Sequence, residues 1–193
     1  MNTARRAYRQ GARAEASERT RLAILDAGRE LAGEKFLAAI TLADVADRAG
    51  VTVQTVLRKF GGRDRLIAEA VEHFQPMVAA ERRVPAGDVD AAVRAVVAHY
   101  EIYGDVMMLV LGQESVDSQA RHIAAVGRDL HYRWVAESFG VEPREPRHRL
   151  LTVATDLYTW KLLRRDRGLS EVETAWHMRL LCRAANRIDT ERR

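Results

Sequence analysis

The sequence predicts an all-α fold, in which a small N-terminal domain of three helices precedes a larger helical body. Apolar residues recur with helical spacing along the chain, and no stretch alternates between apolar and polar residues as a half-buried strand does. No proline precedes Pro76, and the other three prolines lie in two turn-like segments, 82–90 and 139–147. Only three of the twelve aromatic residues fall in the first 70 positions. The bulky side chains therefore belong mainly to the body.

Length and composition restrict the class of protein. The chain has 193 residues, of which 47% are hydrophobic and 30% charged, and this balance excludes fibrous, collagen-like and disordered classes. The longest apolar run has six residues, 106–111, whereas a membrane span needs about 20. The N-terminus lacks the apolar segment of a secretory signal. Cys182 is alone, and the spacings of zinc sites are absent. We expect a cytoplasmic protein with no metal and no cofactor.

Positive charge is concentrated at the N-terminal end of the chain. The net charge is +4, and residues 1–65 carry 13 lysines and arginines against eight acidic residues, while the remainder carries 18 against 19. Such asymmetry indicates a polyanion as the partner of that end, either nucleic acid or an anionic membrane surface. Residues 1–16 form a basic arm that we expect to be flexible, and either a solvated tail or contacts to DNA fit this composition. The arginines of the first 21 residues are Arg5, Arg6, Arg9, Arg13, Arg19 and Arg21.

The segment 17–67 has the pattern of a helix-turn-helix unit. A first helix is predicted over 17–35, and a second helix follows Thr41. Gly50 comes next, the residue type that tolerates a sharp turn, and Thr52 caps a third short helix. The predicted core positions are Leu42, Val45, Val51, Val56 and Phe60. The opposite side of the third helix presents amide, hydroxyl and cationic groups, which suit base edges and phosphates in a DNA major groove.

The residues of this unit resemble the N-terminal domain of the tetracycline-repressor (TetR) family of bacterial transcriptional regulators. The run ILDAGRELAGEKFLAAITLADVADRAGVTVQTVLRKFGGRDRLI is similar to the family pattern without a gap, with its apolar opening at Ile24–Ala27, its TLADVADRAGVT motif at Thr41–Thr52 and its aromatic residue at Phe60. Three positions depart from that pattern. Leu57 stands where the family usually has tyrosine, Lys59 where it often has histidine, and Phe36–Leu37 where a glycine–aromatic pair is usual.

The resemblance implies a DNA-binding domain at 17–66 and a ligand-binding and dimerisation domain at 67–193. It implies a homodimer that binds a palindromic operator, most commonly as a repressor that a small molecule releases. Phosphate contacts are expected from Thr41, Thr52, Lys59 and Arg63. Base contacts are expected from Val53, Gln54, Thr55, Leu57 and Arg58, with the leucine suited to a thymine methyl group.

The body is predicted to form helices over 63–82, 89–112, 117–139, 147–167 and 170–188, with Asp88, Asp117 and Ser170 as N-caps. The resemblance implies that the last two helices form the dimer interface. Its candidate residues are Leu150, Leu151, Ala154, Leu157, Trp160, Val172, Trp176 and Leu181, although apolar stripes of this kind also fit an ordinary core. Candidate effector-pocket residues are His73, Tyr100, Tyr103, Met107, Met108, Trp134 and Tyr158.

The sequence also bears on two other classes of function, an enzyme and an interaction module. The sequence has no GxSxG, GxGxxG, P-loop or HExxH motif, and its six histidines are scattered, so we expect no enzyme. The stronger alternative is an all-helical interaction module that binds polyanions or a membrane surface without sequence preference. That alternative predicts no effect of changing Gln54 on binding.

Overall fold

The computed structural model describes residues 2–187, with side chains from Gln10 onward, and this part of the chain is helical without a strand. The predicted all-α fold is confirmed. The helices are α1 (Asn2–Glu34), α2 (Leu42–Arg48), α3 (Val53–Phe60), α4 (Arg63–Glu81), α5 (Val89–Leu111), α6 (Ser118–Phe139), α7 (Pro146–Ala154), α8 (Leu157–Lys161) and α9 (Glu171–Arg187), with a 3₁₀ turn at Leu37–Ala39 and a π turn at Leu162–Asp166. Within this part of the chain, no helix is long and apolar enough to cross a membrane.

The chain divides into two compact units, Met1–His73 and Phe74–Arg193. In the first unit, α2 packs against both α1 and α3. Its core is made of fully buried side chains from these helices, since removal of apolar surface from water is the main driving force for packing. The most deeply buried are Ile24, Leu25, Val45, Val56 and Phe60, whereas the predicted core residues Leu42 and Val51 are only partly buried.

The first helix begins earlier than predicted. It starts at Asn2 instead of residue 17, so the segment that we expected to be a flexible arm is helical from Asn2 to residue 16. The segment is rich in alanine and arginine, two of the strongest helix formers, and contains no proline that would end the helix. Gly11 is tolerated within it at a modest cost in helix propensity. The side chains of Arg5, Arg6 and Arg9 lie outside the described residues.

The second unit has its own core, to which α5, α6, α7, α8 and α9 all contribute. Its predicted N-caps are confirmed: Asp88 accepts from the Ala91 N–H at 2.9 Å, and Asp117 accepts from the Ala120 N–H at 2.8 Å. Ser170 and Glu173 form a reciprocal capping box before α9. Gly168 ends the preceding turn with a φ of 68°, where a side chain would be strained.

The helix predicted over 147–167 is interrupted in the structure. α7 ends at Ala154, and α8 begins only at Leu157, because Asp156 adopts an extended backbone and its carboxylate accepts from the Tyr158 N–H at 2.8 Å. The Thr155 carbonyl accepts from the Tyr100 hydroxyl at 3.1 Å instead of continuing the helix. The helical spacing of apolar residues continues through 154–157, so the sequence does not predict this break.

Candidate functional site

The N-terminus of α2 is closed by a capping box. The Thr41 hydroxyl oxygen accepts from the Asp44 N–H at 3.1 Å, and the Asp44 carboxylate accepts from the Thr41 N–H at 2.8 Å. The Thr41 hydroxyl donates to the same carboxylate at 2.7 Å. Bonds from the Thr41 N–H, from Lys35 and from the Thr41 hydroxyl lower the pKa of Asp44 to about 2. Because this hydroxyl donates to an ionised neighbour, the structure gives Thr41 a capping role that leaves its hydroxyl proton unavailable to a phosphate.

A sharp turn leads from α2 into α3. Gly50 has a φ of 65°, which a residue with a Cβ rarely adopts, and the Val51 N–H donates to the Ala46 carbonyl at 2.9 Å. Thr52 then caps α3, because its hydroxyl oxygen accepts from the Thr55 N–H at 3.2 Å. The Thr52 and Thr55 hydroxyls lie 3.0 Å apart and share a hydrogen bond. These local bonds fix where the third helix starts.

The outer face of α3 is open to solvent. Val56 and Phe60 anchor the inner face in the core, while Val53 and Leu57 remain 38% and 37% exposed. Gln54 and Arg58 lie one turn apart on that outer side, and neither side chain forms a hydrogen bond or ion pair within the described part of the chain. A short helix with free amide, guanidinium and apolar groups can enter a DNA major groove and contact base edges.

Two of the predicted phosphate ligands are used inside the unit. The Lys59 ammonium donates to the Ser17 carbonyl at 2.7 Å and to the Ser17 hydroxyl at 2.9 Å, which ties the end of α3 to α1. The Arg63 guanidinium donates to the Ile40 carbonyl at 3.2 Å and to the Leu37 carbonyl. Arg63 therefore holds the 3₁₀ turn at Leu37–Ala39. The sequence resemblance did not indicate either internal role.

Four of the eight predicted dimer residues are core residues of their own unit. Leu151, Ala154, Leu157 and Trp160 are at most 8% exposed and pack in the core formed with α5, α6 and α9, which is the ordinary-core alternative for their apolar stripe. Leu150, Val172, Trp176 and Leu181 are exposed in the single chain and remain candidates for an interface. Further apolar residues on α7 to α9 and the π turn are also exposed, namely Val153, Tyr158, Leu162 and Leu180.

The predicted pocket residues have different environments. Tyr100 and Trp134 are buried in the second unit, Met107 and Met108 pack against its core, and the rings of Tyr103 and His99 have centroids 4.9 Å apart. Tyr158 is 56% exposed. His73 belongs to the first unit.

The second unit contains a cavity of about 360 Å³ beside Trp134, which the sequence did not predict. Its lining also includes Arg82, Arg83, Arg133 and Glu137. Arg82 follows the end of α4 and is only 4% exposed. Arginine is almost never fully buried unless paired, so sequence reasoning gave no reason to place this residue inside. Among the described residues, no group of three or more His, Cys, Asp or Glu side chains is arranged to hold a metal ion.

Comparison with known proteins agrees with this architecture. The sequence profile of the family described as "Bacterial regulatory proteins, tetR family" matches residues 24–70, the segment that contains α2 and α3. An uncharacterized HTH-type transcriptional regulator of Haemophilus influenzae is 31% identical over 130 residues, which cover 63% of this chain and 63% of that protein. The matched segment thus spans less than two thirds of that relative's length.

A solved structure shares the fold over most of the chain. The crystal structure of a TetR transcriptional regulator from Rhodococcus sp. RHA1 aligns with a TM-score of 0.55 at 19% identity and covers 91% of this chain and 99% of that one. The profile match lies on the helix-turn-helix that the local geometry had already defined. Residues 24–70 thus match the helix-turn-helix domain of the family described as bacterial regulatory proteins, tetR family, and the chain as a whole is similar in fold to a TetR regulator.

Proposed function

We propose that the protein is a transcriptional regulator that binds a palindromic DNA operator as a homodimer, represses transcription, and leaves the operator when a small molecule binds its second unit. In this account α3 enters the major groove, and the protein acts in the bacterial cytoplasm on the nucleoid. The observation that carries the proposal is the outer face of α3, where Gln54 and Arg58 are exposed and unengaged on a helix anchored by Val56 and Phe60.

Sequence readout is assigned to that face by the chemistry of its side chains. An arginine can donate two bonds to guanine O6 and N7, and a glutamine can pair with adenine N6 and N7. Leu57 offers apolar contact to a thymine methyl group. Phosphate contacts from Thr52, from exposed arginines of α1 and from the one Lys59 N–H that Ser17 does not use would position the helix without reading sequence. The N-termini of α2 and α3 add to this attraction, since helix N-termini favour anions.

A homodimer is supported by exposed apolar side chains on the last helices. Eight residues of α7 to α9 and the π turn are 40 to 79% exposed although they are leucine, valine, tyrosine or tryptophan. Exposed apolar surface of this extent commonly marks an interface with another protein. A two-fold dimer would present two copies of α3, whose half-sites are then expected about 34–36 Å apart on the duplex.

Selection of bound sequences from a random duplex pool, with purified full-length protein at about 150 mM salt, tests the proposal. The expected result is a palindrome whose half-sites lie about one helical turn apart. Binding that enriches no sequence and disappears as salt rises would contradict it and support the interaction module that binds polyanions non-specifically. The recovered operator then serves as the probe for ligands that release DNA.

A further inference from the structure

A buried arginine in the second unit has no acidic partner among the residues that the structure describes. Arg82 is 4% exposed, and no carboxylate of the described part forms an ion pair with it. An arginine stays protonated in proteins, so its positive charge persists inside the fold. Burial of an uncompensated charge is costly unless a counter-charge or hydrogen bonds replace the lost water.

The donors of Arg82 are only partly used. One terminal nitrogen, Nη2, lies 2.9 Å from His131 Nδ1, while Nε is buried without a hydrogen-bond partner. Because a guanidinium only donates, His131 Nδ1 must accept, and the ring proton is then on Nε2, which faces Thr155 Oγ1 at 3.2 Å. The guanidinium carbon lies 4.3 Å above the Trp134 ring, whose N–H donates to the Arg82 carbonyl at 2.8 Å. These contacts hold the guanidinium in one orientation.

The neighbouring histidines do not supply a compensating charge. Burial, and then the positive charge of Arg82, lowers the pKa of His99 to about 3. Burial and the same charge lower the pKa of His131 to about 3. Both rings are therefore neutral near pH 7. His99 Nδ1 is also buried without a hydrogen-bond partner.

Arg82 lines the cavity of about 360 Å³ in this unit. Trp134, Leu130, Pro76 and Ala79 give that cavity apolar walls, and its volume lies in the range of small-molecule sites. Its charged lining residues are Arg82, Arg83, Arg133 and Glu137, so the cationic groups outnumber the single carboxylate. A cavity of this kind favours a ligand with an apolar body and a negative group.

We propose that this cavity binds a small organic oxyanion, with Arg82 as the buried residue that receives its carboxylate or phosphate group and Trp134 as the wall against its apolar part. The guanidinium is fixed by His131 and Trp134 and has no acidic partner in the described part of the chain, so an oxyanion in the cavity would supply the missing counter-charge. The binding site is inferred from these contacts and from the cavity lining, and not from the proposed function. Its role as the effector site rests on the proposed function.

Isothermal titration calorimetry of the full chain in chloride-free buffer, with benzoate, phenyl phosphate and neutral benzamide as probes, tests the site. We expect saturable binding of at least one of the two oxyanions and binding of benzamide that is at least about tenfold weaker, the factor that a charge-assisted hydrogen bond supplies. The stronger oxyanion identifies the ligand as a carboxylate or a phosphate. Equal affinity for benzamide, or no saturable binding of either oxyanion below about 10 mM, would overturn the proposal.

Variants locate the binding to the buried arginine. Arg82→Gln should weaken oxyanion binding at least about tenfold, whereas Arg94→Gln, which removes an exposed arginine of α5 that does not line the cavity, should change it less than about threefold. Equal losses in the two variants would mean surface attraction and would contradict the proposal. Arg82→Lys keeps the charge and guards against a folding defect. The Arg82→Lys protein should bind the oxyanion more weakly than the wild type does but still prefer it to benzamide. Loss of that preference would contradict the claim that the charge at position 82 receives the oxyanion.

The regulatory consequence is measured separately. Oxyanion binding is determined without DNA, so its outcome does not depend on whether an operator exists. If the probe binds through Arg82 but does not weaken operator binding, the site stands and the ligand-responsive part of the proposed function fails. If an operator is recovered but no oxyanion binds, the DNA-binding proposal stands and the inference about Arg82 fails.

Discussion

Gly104 allows α5 to approach Trp160 more closely than any other residue type would. A Cβ built on Gly104 would lie 2.5 Å from two ring carbons of Trp160, Cη2 and Cζ3, well inside van der Waals contact. Other contacts prevent the Trp160 ring from moving away from such a Cβ. Its N–H donates to Glu101 at 2.9 Å, the Arg165 guanidinium lies 4.5 Å above it, and the side chain is fully buried. Gly104→Ala therefore forces the ring or the helix to move.

The magnitude follows from two opposing effects. Overpacking of a well-packed core costs about 1–3 kcal/mol, and a contact of 2.5 Å against a fixed ring belongs at the upper end. Alanine is better than glycine in a helix interior by about 1 kcal/mol. The expected net loss in the free energy of unfolding is about 2 kcal/mol, which in a chain of this size lowers Tm by about 4–8 °C.

Urea denaturation followed by circular dichroism measures this loss, with Gly127→Ala as the matched control. Gly127 also lies within a helix, but the nearest atom to its added Cβ is Met107 Cε at 3.8 Å, an ordinary contact. Gly127→Ala should thus stabilise the protein by up to about 1 kcal/mol. If Gly104→Ala stabilises the protein as much as the control does, the close approach of α5 to Trp160 is refuted.

Three further perturbations follow from the contacts. Arg63→Met removes two bonds to the carbonyls of the 3₁₀ turn and should lower the free energy of unfolding by about 1–3 kcal/mol in urea melts; an unchanged midpoint would show that those bonds do not stabilise the turn. The pKa of His131 is about 3 in the fold and about 6.5 when unfolded, so the unfolded chain binds the extra proton between these values. The free energy of unfolding should then fall as pH drops from about 6.5 to about 3, by up to about 1.4 kcal/mol per pH unit. In urea melts over this pH range, the free energy of unfolding of His131→Gln should depend less steeply on pH than that of the wild type. An equal pH dependence of the two proteins would contradict the buried neutral ring. Trp176→Glu places a charge on the exposed apolar face of α9 and should shift sedimentation from dimer to monomer; a dimer of unchanged affinity would place the interface elsewhere.

The helix-turn-helix was largely predictable because its determinants are local. Thr41 and Thr52 are short polar residues in front of apolar-periodic segments, and each forms the cap that such a pattern indicates. Gly50 has the positive φ that a tight turn requires. The exposed and buried faces of α3 follow from a spacing of three and four residues, as Val56 and Phe60 show.

Properties set by tertiary contacts were not predictable in this way. Lys59 and Arg63 have the composition of phosphate ligands, but their partners, the carbonyls of Ser17 and of the 3₁₀ turn, lie 23 to 42 positions away. Trp160 lies in an apolar stripe that fits an interface and a core equally well. Its burial in the core depends on its packing against α5, which the sequence pattern does not show. Arg82 is the strongest case, because nothing in the RRVP segment distinguishes a buried arginine from an exposed one.

The most direct test of the central claim is the affinity of Arg58→Ala for the selected operator and for a scrambled duplex at one salt concentration. Arg94→Ala, which removes an exposed arginine of α5, is the control. Loss of a base contact should cost about 1–3 kcal/mol on the operator and clearly less on the scrambled duplex, with Arg94→Ala close to wild type on both. An Arg58→Ala protein that binds the operator as tightly as the wild type, or that weakens equally on both duplexes, would contradict sequence readout by α3.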